Sequence, residues 1–208
     1  WAAEATLNPD FSQVESDAAQ IDVNTTFALF YPERRPFFQK GMDLFQTPFT
    51  AFYSRSLNAP IVASKMTGRS GSTSVGYIVA RDDHTPFIVP FADETGIVEA
   101  GKSTTNVLRL QQNFGGSKLG ALVTDRRVDG GGSNTTLGSD LVYRFNDMYS
   151  MQAHVMFSHT REPNDSLMSA QLPNLRFGKN NDYSAAFDGE SFTGLAGFLW
   201  AGRDAKAW

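Results

Sequence analysis

The sequence predicts an all-β protein, an antiparallel transmembrane β-barrel represented by a partial barrel segment. Three observations carry this. Apolar and polar residues alternate with the two-residue period of half-buried strands in several stretches. Gly 18, Phe 17 and abundant Ser and Thr, without an amphipathic helix of three turns, favour strands and turns. Short and long connections alternate along the chain, as short turns on one rim and long loops on the other do in outer-membrane barrels.

The stretches Pro60 to Gly68 and Ser74 to Arg81 flank a turn at Arg69-Ser70-Gly71-Ser72-Thr73. Thr104 to Phe114 and Lys118 to Thr124 flank Gly115-Gly116-Ser117. Ser139 to Phe145 and Met148 to His159 flank Asn146-Asp147, a two-residue hairpin loop. Ser191 to Gly202 is a further strand, with its next turn around Asp204. The long connections are Asp82 to Ser103, Asp125 to Asn134 and Thr160 to Gly189. Strands of about 7 to 12 residues bracket the roughly 9 to 11 that a tilted span needs. On this plan the turns at Gly71, Gly116, Asn146 and Asp204 lie on the periplasmic rim, and the loops around Glu94, Gly131 and Asn174 lie outside the cell.

Alternation assigns a lipid-facing set: Tyr149, Met151, Ala153, Val155 and Phe157 on one strand, and Phe192, Phe198 and Trp200 on another. Tyr31 to Pro48 breaks the alternation of connection lengths. Counting back through a reversal near Asn58-Ala59 places it on the short-turn rim. Its prolines discourage pairing in a central strand, and its aromatics need cover. It either fills the barrel, with Glu33, Arg34 and Arg35 forming a charged lumen constriction, or anchors the rim as part of an aromatic girdle.

Composition excludes other classes. A net charge of −4 with 18 Lys and Arg offers no basic stripe for nucleic acid. Zero Cys excludes a disulfide scaffold, a thiolate metal site and a cysteine nucleophile. No apolar run is long enough for a helical span, which says nothing against a barrel. Asp82-Asp83-His84, with Asp93 and Glu94, reads as a solvated loop, and Asp125 to Asn134 lacks the ligand spacing of a calcium loop. No Gly-x-Ser-x-Gly elbow accompanies His154 or His159. No catalytic residue, metal or cofactor is assigned.

Asn8-Pro9-Asp10-Phe11-Ser12-Gln13-Val14-Glu15 and Phe27-Ala28-Leu29-Phe30-Tyr31-Pro32-Glu33-Arg34-Arg35-Pro36-Phe37-Phe38 carry a family resemblance. So do Phe52-Tyr53-Ser54-Arg55, Lys65-Met66-Thr67-Gly68-Arg69, Thr124-Asp125-Arg126-Arg127, Ser158-His159-Thr160 and Asp188-Gly189-Glu190-Ser191. The chain resembles a bacterial outer-membrane β-barrel family of unknown function that commonly follows a carbohydrate-binding family-9-like module. The resemblance implies a bacterial outer-membrane location and no reaction. Residues 1–208 then read as a segment of one barrel domain, with the sugar-binding module and the rest of the barrel outside it.

The function expected is a channel, uptake component or surface anchor without bond chemistry, not an enzyme. The alternatives are a soluble β-sandwich that binds or hydrolyses carbohydrate, and a structural subunit of a larger envelope assembly. The partners expected are outer-membrane lipid, then carbohydrate or other envelope subunits, and no nucleic acid.

Overall fold

Eight antiparallel strands hydrogen-bond into one sheet in the computed structural model, which describes residues 1–9, 32–57, 59–90, 95–172, 176–177 and 179–203. In chain order the strands are β1 (Ala2–Leu7), β2 (Pro60–Ser70), β3 (Thr73–Asp82), β4 (Pro86–Pro90), β5 (Thr95–Glu99) and β6 (Ser103–Phe114). They continue with β7 (Ser117–Val128), β8 (Ser133–Arg144), β9 (Tyr149–Arg161), β10 (Arg176–Phe177), β11 (Tyr183–Ser184) and β12 (Ser191–Arg203). The large sheet has the order β1-β2-β3-β6-β7-β8-β9-β12, and β4-β5 and β10-β11 are separate two-stranded ribbons. The fold is therefore all-β and mostly antiparallel. Among the described residues β1 and β12 are open edges, and the sheet does not close on itself. Helix is limited to the single turns α1 (Pro36–Gln39) and α2 (Ser166–Ser169), with 3₁₀ turns at Met42–Phe45 and Ser54–Ser56.

The expected hairpins form, with longer strands than the apolar pattern marks. The pattern ends one strand at Thr124, yet pairing continues through Asp125↔Thr135 and Arg127↔Ser133. The Asp125 to Asn134 connection thus shrinks to residues 129–132. Charged residues at a sheet rim keep the strand geometry while losing the hydropathy signal.

One rim carries the turns 71–72, 115–116 and 145–148, and the opposite rim carries 83–102, 129–132 and 162–190. The expected place of Tyr31 to Pro48 needs correction. Leu7 pairs with Val62, so the end of β1 lies beside the start of β2. The connection from β1 to β2 therefore leaves and returns at the rim of the longer connections. Residues 49–57 hold coil and a 3₁₀ turn instead of the strand that a reversal near Asn58 requires; Tyr31 and Asn58 themselves lie outside the described residues.

The sheet has one covered and one open face. Residues 33–57 lie across the covered face, where Phe38, Phe45 and Leu57 pack with Ala63, Ile78, Ala80, Val107 and Leu122. Burying each of the first three side chains contributes roughly 1.5–3 kcal/mol. The same face carries the buried polar side chains Lys65, Arg109, Asp140 and His154. The open face is apolar: Val62, Met66, Leu108, Leu110, Leu119, Leu137, Val155, Phe157, Leu195 and Leu199 are 38% to 78% exposed.

The register divides the set expected to share one face. Tyr149, Met151, Ala153, Val155 and Phe157 are on the open face, paired with Arg203, Ala201, Leu199, Gly197 and Leu195. Phe192, Phe198 and Trp200 pair with Thr160, His154 and Gln152, so they lie on the other face. A strand's own alternation defines two faces; only its register with β9 decides which is which.

Candidate functional site

Two constellations gather chemistry: the seam between residues 33–57 and the sheet, and a cavity at the rim of the longer connections. At the seam, cations of the sheet hold the covering segment by its backbone. Lys65 Nζ donates to the carbonyls of Phe37 and Lys40. Arg109 Nε donates to Leu44 O at 3.0 Å, and Arg126 Nη2 to Ser56 O at 2.8 Å. From the other direction Phe49 N–H donates to His154 Nδ1 at 3.1 Å, which requires that nitrogen to be unprotonated. The Phe49 ring lies 5.2 Å from the imidazole and 5.1 Å from Phe198. Carbonyls suit buried cations because they accept without adding a second charge to desolvate.

Within the segment, Arg35 is a hub. Its guanidinium donates to Leu57 O at 2.7 Å, to Ser54 O at 2.9 Å and to both Glu33 carboxylate oxygens, and it lies 4.3 Å from the Phe38 ring centre. Ser54 Oγ donates to Glu33 Oε2 at 2.7 Å. Burial acts to raise the Glu33 carboxyl, but the hydrogen bonds from Arg35 and Ser54 outweigh it and hold the pKa below its ordinary value. Of the residues expected at a constriction, Arg35 is 1% exposed and pairs with Glu33 within the segment, whereas Arg34 is exposed. Away from the sheet, Glu33, Gln39, Asp43, Gln46, Thr50 and Tyr53 border an open cavity of about 730 Å³.

At the rim, β4 and β5 pack Phe87 and Val98 against Met168 and Phe187 of the β9–β12 connection. Asp165 caps α2 by accepting from the Leu167 and Met168 amides, which fixes this connection locally. A cavity of about 410 Å³ lies beneath, lined by apolar Phe87, Val89, Val128, Pro163, Phe187 and Phe192, and by polar Arg126, Asn134, Thr160 and Glu162. Glu162, Asp188 and Glu190 each place a carboxylate oxygen within 4.8 Å of the others. Burial, then the charges of Glu190 and Asp188, push the Glu162 carboxyl up to about 7. Such a trio can receive a cation. Sequence reasoning missed it, because Glu162 and Glu190 meet through the Glu162 N–H bond to Glu190 O and the neighbouring Asn164↔Asp188 bridge.

The motifs set aside in the sequence do not assemble into sites. Asp82 is buried and accepts from the Ala59 amide, while Asp83 faces His84 and Lys102, so the adjacent acids diverge. Asp93, Glu94 and Asn174 lie outside the described residues. Asp125 pairs with Arg127, and Asp129 with Arg81. His159 is exposed, and among the described residues no hydroxyl hydrogen-bonds to His154.

A family model described as a domain of unknown function (DUF5916) matches residues 2–73, which span β1, the covering segment and β2. No curated protein and no solved structure matches the chain.

Proposed function

We propose that this chain is part of the wall of a β-barrel in a bacterial outer membrane, with residues 33–57 as an internal plug. It serves passage or surface display and performs no bond chemistry. The observation that carries the reading is the inverted distribution of polarity: buried Lys65, Arg109, Asp140 and His154 share the covered face, while Leu137, Val155 and Leu195 are exposed. A soluble sandwich needs a second sheet over that apolar face. A barrel wall needs lipid there and tolerates charge inside. Strands β2, β3, β6, β7, β8, β9 and β12 are 10 to 13 residues long, enough to cross a bilayer when tilted. Phe114, Tyr143, Phe145 and Tyr149 gather at the short-turn rim as an interfacial aromatic girdle does.

Because its side chains form the core against the wall, the plug is a permanent fixture. Surface anchoring, or uptake along its far side, fits this better than a freely open pore. The open edges of β1 and β12 favour completion by further strands, from the same polypeptide or other envelope subunits. Reconstitution tests the reading. The chain refolded with lipid vesicles should float with them and resist extraction at alkaline pH. A monodisperse folded chain in detergent-free buffer that leaves vesicles untouched would overturn it.

A further inference from the structure

The rim cavity has the size and polarity of a small-molecule site. Its volume, about 410 Å³, falls within the usual range for such sites. Pro163, Val128 and Phe187 are buried in its walls, and the Phe87 and Phe187 rings, 5.8 Å apart, form an aromatic side. Against this apolar lining stands one carboxylate. Glu162 lines the cavity, and its Oε2 is buried with no hydrogen-bond partner among the described residues. A buried acceptor left unpaired is costly, and native folds rarely leave one without a reason.

The other charged groups define what can meet it. Asp188 and Glu190 stand within 4.8 Å of Glu162 and add negative potential. Arg126 also lines the cavity, but its Nε is bound to Thr105 and its Nη2 to Ser56. Arg161 is exposed at the cavity mouth. The unmet need is a hydrogen-bond donor carrying positive charge, attached to a body that fills an apolar, aromatic chamber.

We propose that this cavity binds a small organic cation, with an ammonium group on Glu162 and an aromatic or branched aliphatic body between Phe87, Val128 and Phe187. The carboxylate is the selective element: it rejects acids by repulsion and favours amines over isosteric alcohols through a charge-assisted hydrogen bond. The aromatic rings add shape and a favourable face for the positive end. This site is independent of whether the open face meets lipid, because it is built from the rim and its connections.

Fluorine NMR on the full chain in detergent micelles tests it, with empty micelles subtracted. The probes are trifluoromethylbenzylamine, its alcohol and the corresponding benzoate, at about pH 8 so that the Glu162 carboxyl, pushed up to about 7, is ionised. The amine should bind saturably and roughly tenfold or more tighter than the alcohol, with the benzoate weakest. Glu162→Gln should abolish that preference while binding the alcohol as the parent does, which also shows that the cavity is intact. Equal affinity for amine and alcohol in the parent, or a preference that survives Glu162→Gln, overturns the proposal. Saturable calcium binding that excludes the amine would also overturn it and make the acids a metal site.

Discussion

Arg109 on β6 and Asp140 on β8 meet across β7 over Gly120, which gives them the room to do so. Arg109 Nη2 donates to Asp140 Oδ1 at 3.0 Å, and its Nη1 to Oδ2. A Cβ on Gly120 would stand 2.5 Å from Arg109 Nη1 and Nη2 and from Asp140 Oδ2. The pair also fixes the covering segment, because the same guanidinium holds Leu44 O. Asp140→Ala leaves a 1% exposed guanidinium without its countercharge, at an expected cost of about 3–5 kcal/mol. Gly120→Ala should give a loss of the same sign by driving the pair apart. Reversible urea unfolding in micelles measures both, and the double change Arg109→Met with Asp140→Leu should cost less than Asp140→Ala alone.

Phe45 is seated on the sheet by a second glycine. A Cβ on Gly76 of β3 would lie 2.6 Å from the Phe45 ring, so the bare backbone forms its socket. Removing the ring from a site only 2% exposed should cost about 3–5 kcal/mol. Phe45→Ala should therefore lower the unfolding midpoint of the whole sheet. If the segment were a loosely tethered gate, Phe45→Ala would change conductance and leave the midpoint untouched.

The open face separates a membrane wall from a soluble sheet. Val155 lies midway along β9 and is 51% exposed. In lipid near the midplane, Val155→Arg should cost about 2–4 kcal/mol; on a wet surface it should stay within about 0.5 kcal/mol. Unfolding from lipid vesicles decides between them. Leu195→Arg on the adjacent strand should behave in the same way, since Leu195 is 78% exposed on that face.

What the sequence displayed and what it concealed follow from the range of each interaction. Alternation within Met148 to His159 depends on one strand, so its two faces were readable. Phe192, Phe198 and Trp200 belong to an equally clear alternation, but Leu195 and Leu199 form a second apolar series on the same strand, and only pairing with His154 and Gln152 reveals the side of each. The prolines and aromatics of Tyr31 to Pro48 mark a non-strand segment that needs cover. Its rim differs from the expected one because a 3₁₀ turn stands where the strand count needs a strand. Glu162 and Glu190 are separated by a long connection, and nothing local announces their contact.

Sidedness is testable because the chain has no cysteine to compete. Ser72 lies in the β2–β3 turn, and Asp147 in the β8–β9 turn on the same rim; Gly130 and Ser166 belong to the opposite rim. Cysteines at Gly130 and Ser166 should react with an impermeant maleimide on intact cells. Those at Ser72 and Asp147 should react only after permeabilisation. The reverse pattern would invert the proposed orientation.

The Glu162 carboxyl makes the long β9–β12 connection sensitive to pH. Burial, with Glu190 and Asp188 beside it, raises its pKa to about 7, whereas an unfolded glutamate titrates near 4.3. Between those values the folded connection binds a proton that the unfolded chain has lost. The folded state therefore holds more protons, and its stability falls as pH rises through this window, with the loss complete above about 7. The effect belongs to the segment that Glu162 closes, where Glu162 N–H meets Glu190 O and Asp165 N–H meets Phe187 O. Hydrogen exchange at the Asp165 and Phe187 amides, corrected for intrinsic rates, should show weaker protection at about pH 8 than at about pH 5.5. Glu162→Gln removes the titrating group and retains the packing, so its protection should be flat over that range. A parent profile as flat as that of Glu162→Gln would mean that the three acids do not sense one another.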